Sequence, residues 1–133
     1  MVLVDSSVWI ALLRAQAGPA VDCLRRLLWD GEAVLAPVIV QEILQGAASP
    51  PQLERLREHF TGLPVLRSRD PLVTHTAAGA LYARCRWAGV TPRSPHDCLI
   101  AQTAVEHDVA LLHDDVDFER IAAVEPRLRL LRG

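Results

Sequence analysis

A chain of 133 residues, half of them apolar and 23% charged, has the size and balance of one globular domain and is not a disordered polymer. Its formal net charge of −2 excludes a protein that holds polyanions by bulk positive charge, so any nucleic acid must be met locally, by clustered arginines or by metal ions. All 14 basic residues are arginine. The missing lysine excludes Walker-type phosphate loops, Schiff-base and pyridoxal chemistry, and the acidic-pocket phosphatases and receiver domains that depend on one.

Three cysteines, Cys23, Cys85 and Cys98, are far apart and form no C-x-x-C pair. That spacing argues against a zinc or disulfide framework and for a reducing compartment. The start, Met1-Val2-Leu3-Val4-Asp5, has no basic leader region. No apolar run approaches the ~20 residues that cross a bilayer. A cytoplasmic protein is expected.

In chain order, Val2-Leu3-Val4 reads as a strand buried on both faces. Ser6 and Ser7 are placed to cap a helix over about Val8 to Arg14. Pro19 opens a second helix toward Asp30, and Gly31 ends it. Ala33-Val34-Leu35 is the second strand, and Pro37 starts a helix running to about Ala47. A helix from Gln52 to Phe60 follows the Ser49-Pro50-Pro51 break. Pro64-Val65-Leu66 reads as a short third strand. Pro71 opens a long helix over Leu72 to Ala88, closed by Gly89. Ser94-Pro95-His96-Asp97 has the S-x-x-D form of a capping box, at the head of a helix reaching His107. Ala110-Leu111-Leu112 is a fourth strand, a short helix runs from Asp115 toward Ala123, and Leu128 to Leu131 is a fifth strand. Alternating strands and helices predict an α/β domain, a three-layer α/β/α sandwich with a mostly parallel sheet of four to five strands. In such sheets, ligands bind beyond the carboxyl ends of the strands.

Five acids fall where that topology gathers one edge. Asp5 follows the first strand, Glu42 lies early in the helix after the second, Asp97 opens the helix before the fourth, and Asp115 and Asp117 follow the fourth. At 100° per residue, Asp97 heads the apolar stripe of Ile100, Ala101 and Ala104. Glu42 flanks the buried face of its helix, while Gln41 and Gln45 take the wet side. Each acid also has a plain structural reading: Asp5 as a helix cap, Asp97 as the capping partner of Ser94, Asp115 and Asp117 as first-turn acids, Glu42 as a rim charge. Four carboxylates within ~5 Å would repel by ~3 kcal/mol per pair at an effective dielectric near 20. No arginine adjoins Asp5, Glu42, Asp97 or Asp115 in sequence. A divalent cation relieves such a crowd, and all-oxygen ligation selects Mg²⁺ or Mn²⁺. Such a site suits phosphodiester hydrolysis.

Four segments in this order resemble PIN-domain ribonucleases, specifically VapC-type toxins of bacterial toxin–antitoxin pairs. They are Val2-Leu3-Val4-Asp5-Ser6-Ser7-Val8-Trp9-Ile10, Pro37-x-x-x-x-Glu42, Asp97-Cys98-Leu99-Ile100-Ala101 and Leu111-Leu112-His113-Asp114-Asp115-Val116-Asp117-Phe118. The resemblance covers residues 1–133 as a single PIN domain. It implies Mg²⁺- or Mn²⁺-dependent endonucleolytic cleavage of RNA, leaving a 5′-phosphate and a 3′-hydroxyl. It matches Asp5, Asp97 and Asp115 to metal ligands and Glu42 to the acid that binds metal or orients the attacking water. Asp117 matches the outer acid of D-x-D-F, and Ser7 a hydroxyl that supports the pocket. Where the family carries Thr or Ser, this chain has His113, which is expected to hydrogen-bond the metal-site carboxylates. The implied partners are a VapB-type antitoxin, an RNA substrate and a second copy of the chain.

Trp9, Leu12, Leu13, Leu24, Leu27, Leu28 and Trp29 serve as core, and the resemblance adds a groove for an antitoxin helix. Arg67, Arg69, Arg84, Arg86 and Arg93 are candidate contacts for RNA phosphates. His75 and His96 have no partner assignable from sequence, and His59 and His107 read as exposed. The competing function is a PIN-like module without catalysis that binds RNA or a partner. Retention of every acid argues against it.

Overall fold

The computed structural model describes residues 1–131; the last two positions of the expected 1–133 domain lie outside the described residues. Strands β1 (Val2–Val4), β2 (Ala33–Val34), β3 (Ala110–Leu112) and β4 (Leu130–Leu131) form one sheet in the order β2-β1-β3-β4. Every pairing is parallel. The helices are α1 (Ser6–Leu13), α2 (Pro19–Trp29), α3 (Pro37–Gln45), α4 (Pro50–Thr61), α5 (Pro71–Trp87), α6 (Pro95–Glu106) and α7 (Val116–Val124).

Proline sets most helix starts. α2, α3, α4, α5 and α6 each begin on one, where the missing N–H has no helical partner to lose. Gly31, at φ +69°, takes the left-handed turn that stops α2 and leads into β2. The third strand expected at Pro64-Val65-Leu66 does not form. Its backbone meets Leu35 in a single bridge, with Leu35 N donating to Pro64 O and Leu66 N to Leu35 O. Pro37 starts α3 just past Leu35, and Pro64 has no donor, so that ladder cannot extend. The sheet therefore has four strands.

β1 and β3 occupy the middle and are apolar throughout, as strands covered on both faces must be. Trp9 lies buried under them, its indole N–H donating to Val4 O at 3.1 Å and its ring edge-on to Phe60. The chain leaves β1 toward β2 on one side and later returns to β3 on the other. The switch point thus falls between β1 and β3, and in parallel sheets the crevice beyond the carboxyl ends at that point is where ligands bind.

Candidate metal centre

The β1–β3 ladder itself delivers the first acid. Val4 pairs with Leu112, and the next residue, Asp5, donates its backbone N–H to Leu112 O at 2.9 Å. Asp5, not Ser6 or Ser7, caps α1. Its Oδ2 accepts the Ser7 N–H at 3.0 Å and the Ser7 hydroxyl at 2.6 Å. The hydroxyl of Ser7 also accepts Asp114 N–H at 3.2 Å, stitching α1 to the loop after β3. Ser6, released from capping, donates its hydroxyl to Glu42 Oε1 at 3.2 Å. The other oxygen of Glu42 faces His96 Nδ1 at 3.6 Å.

Asp97 sits in the first turn of α6. Ser94 caps α6, but by accepting the His96 N–H on Oγ at 3.2 Å; the Asp97 N–H goes to the Ser94 carbonyl instead, so the expected reciprocal capping box is replaced by a simple cap. Asp97 is buried beside the buried Asp117 and the half-buried Asp115, the three offering carboxylate oxygens within 4.8 Å of one another. Asp115 caps α7 by accepting Asp117 N–H at 2.9 Å. Asp117 is 1% exposed, and arginine surrounds it. Its Oδ2 accepts both the backbone N–H and the Nε–H of Arg93 at 3.1 Å, and its Oδ1 accepts Arg120 at 3.4 Å. Arg93 then reaches Asp115 Oδ1 with its terminal nitrogen at 2.9 Å.

The electrostatics divide these acids. Burial pushes Asp97 up to about 7, with repulsion from Asp5, Asp115, Glu42 and Asp117 adding to it. That all four act on one carboxyl places it at the centre of the group. Burial also raises Asp5, against the two Ser7 hydrogen bonds that favour its ionised form. Burial and then the Asp5 charge raise Glu42, while Ser6 and His96 pull it back. Asp117 goes the other way. Burial opposes its charge, but the Arg93 backbone N–H, the Arg93 guanidinium and Arg120 together hold it below the usual carboxylate range. Among the described residues, no ion pair is made to Asp97; Arg93 and Arg120 go to Asp115 and Asp117, and His96 to Glu42.

A family model of the PIN domain matches residues 2–124. This chain is a PIN-domain protein. It is 39% identical over 126 residues to "VapC ribonuclease Mb1587" of Mycobacterium bovis and to "Ribonuclease VapC11" of Mycobacterium tuberculosis, covering 93% of this chain and of each relative. Solved structures share its fold. VapBC2 from Rickettsia felis, bound to a DNA fragment from its promoter, aligns with a TM-score of 0.73 at 17% identity, covering 98% of both chains. DNA-bound VapBC from Salmonella typhimurium aligns at 0.73 and 19% identity, covering 98% of this chain and 96% of that one.

Within this PIN domain, all five acids singled out from sequence stand at the β1–β3 crevice. His113, expected to bond the carboxylates, takes the backbone N–H of Asp115 on Nδ1 at 3.2 Å, and its ring tilts against Phe118. A ring nitrogen that accepts is bare, so the imidazole shapes the turn that aims Asp115. His107 is half-buried rather than exposed, with Nε2 on Arg67 O and Nδ1 on Thr103 O. His59 is exposed, as expected. Arg93, expected only as one of five candidate phosphate contacts, turns out to be bonded to the acids themselves. It stands 22 positions from Asp115 and 24 from Asp117, on a loop with no motif of its own.

The apolar residues of α1 and α2 separate into two sets. Trp9 and Leu24 are core, while Leu13, Leu28 and Trp29 are exposed, Trp29 by 91%. No helix among the described residues is long and apolar enough to cross a membrane.

Proposed function

We propose that this PIN-domain protein is a metal-dependent endoribonuclease, the toxin of a toxin–antitoxin pair. Asp97 carries the reading: a buried carboxyl among four others, with no cation paired to it among the described residues. A carboxylate so placed needs a partner, and none is supplied from within. The donor set fits a hard divalent ion, because every candidate ligand is a carboxylate oxygen and the group is too crowded to ionise fully without added positive charge. Asp5, Asp97 and Asp115 would hold Mg²⁺ or Mn²⁺, which when bound supplies Lewis acidity toward the phosphodiester and a lowered pKa for the attacking water. Asp117 lies within reach, but both its oxygens already serve arginines.

The chain's own groups do the rest. Ser7 fixes Asp5 by occupying Oδ2, which makes Oδ1 the oxygen to offer a metal. His113 holds the turn that presents Asp115. Glu42 is steadied by Ser6 on Oε1, and its second oxygen is placed to take a proton from the water that attacks phosphorus. Its raised affinity for protons suits a general base. Asp117 keeps Arg93 in register with the acids.

The relatives' names supply the substrate class, ribonucleic acid, and the VapBC neighbours supply a partner, an antitoxin. The exposed apolar residues Leu13, Leu28 and Trp29 fit the apolar face of an antitoxin helix. We also propose a homodimer in the cytoplasm. The test is RNA cleavage by purified protein with Mg²⁺ or Mn²⁺, with EDTA, and with Asp97→Asn. Metal-dependent cleavage lost in the variant is expected. Full cleavage by Asp97→Asn in EDTA would reject this mechanism, and RNA binding without turnover would select the non-catalytic module.

A further inference from the structure

We propose that Arg93 binds the RNA phosphate at the cleavage site, holding the acids with one edge of its guanidinium and presenting the other to the substrate. The inference rests on the endoribonuclease reading and adds to it the group that receives the anion. A pocket lined by five acids repels RNA, and a cation fixed at its rim lowers that repulsion alongside any metal.

Five arginines were open candidates from sequence. The fold separates them. Arg84, in the last turn of α5, faces the buried Glu125 at 4.0 Å. Arg67, Arg69 and Arg86 make no ion pair with any of the five acids among the described residues. Arg93 alone of the five makes hydrogen bonds to the acid cluster among the described residues. Asp115, which it touches, shares the cluster with Asp97.

Its placement is fixed at one end and open at the other. The backbone N–H and Nε both bond the same Asp117 oxygen, and that oxygen belongs to a carboxylate 1% exposed. The guanidinium plane is therefore anchored to the scaffold. One N–H of the terminal nitrogen meets Asp115. Five N–H groups make up the fork, and these bonds use two of them. The side chain as a whole is 75% exposed, so the remaining N–H groups are open to a ligand from solvent. A planar fork with donors on two edges bridges carboxylates on one edge and a phosphate on the other. The acids thereby lower the cost of ordering Arg93 before RNA arrives.

Binding of a fluorescein-labelled twelve-residue oligouridylate tests this, measured by anisotropy against salt with Asp97→Asn as the non-cleaving parent. Arg93→Gln is expected to weaken binding about tenfold and to reduce the slope of log affinity against log salt by ~0.7, one single-strand phosphate contact. Arg93→Lys is expected to keep the slope, because the charge remains, yet to bind several-fold more weakly, because the fork is lost. Mn²⁺ affinity, measured by calorimetry without RNA in the chain that keeps Asp97, should stay within about threefold in both Arg93 variants. If Arg93→Gln does not fold, the Lys variant decides: binding equal to the parent overturns the proposal. Unchanged RNA binding with tightened Mn²⁺ binding also overturns it and makes Arg93 a latch that excludes metal. The two readings separate cleanly. Cleavage by the wild-type chain together with Arg93-independent binding sinks only this proposal; Arg93-dependent binding without cleavage sinks only the nuclease.

Discussion

Asp97 and Asp117 are the same residue type, lie in one cluster, and are both buried, yet burial has opposite outcomes for them. Asp117 receives two arginines and a backbone N–H, and its carboxyl stays ionised below the usual range. Asp97 receives four like charges and is pushed up to about 7. The difference teaches how to tell a scaffold acid from a working one. A buried carboxylate whose partners are built in is already satisfied; one whose partners are missing is reserved for something that arrives.

The largest expected effect breaks the working half. Asp97→Asn should lose at least about a hundredfold in RNA cleavage while melting, in EDTA, about 5 °C above the parent, because it removes repulsion rather than support. A variant less active and also less stable would make Asp97 an ordinary structural acid. Ser7→Ala comes next. It strips the hydroxyl from Asp5 Oδ2 and from Asp114 N–H, so cleavage should fall about tenfold. Denaturant titration should show a loss of about 1 kcal/mol. Asp117→Asn tests the scaffold half: Tm should fall by about 5 °C, with Mn²⁺ affinity changed far less than in Asp97→Asn.

The smallest effect is in pH. The folded value of Asp97 is raised to about 7 from 3.8, so the folded chain holds an extra proton between those values. Its metal-free stability contribution is present in full below about pH 4 and lost as pH rises toward and through 7. Asp117 has the reverse sign, with its contribution full above about pH 4 and fading as pH falls through its lower folded value. In EDTA, Tm should drop between pH 5.5 and 8 in the parent and hardly move in Asp97→Asn. Mn²⁺ at pH 8 should restore the parent alone.

Much of this architecture was legible locally. Pro37, Pro71 and Pro95 mark helix starts by the fixed geometry of their own rings, and Val2-Leu3-Val4 and Ala110-Leu111-Leu112 announce central strands by unbroken hydrophobicity. The acids were legible because each sits just beyond such an element. Partnerships across the chain were not. Ser7 and Ser6 looked like interchangeable caps until α3 brought Glu42 to one and β3 brought Asp114 to the other. Arg93 reaches Asp117 only through the packing of α6 against α7, and the Pro64 strand failed because Pro37 ended its neighbour too soon.

The middle position of β1 has a consequence for folding. Ser7 must meet Asp114, 107 positions further along, before the crevice exists. The β1–β3 ladder and this bond therefore close one of the longest loops in the fold, and the acids meet only once it has closed. Non-local closure of this kind is the slow part of folding, so refolding from denaturant should regain cleavage later than it regains helix.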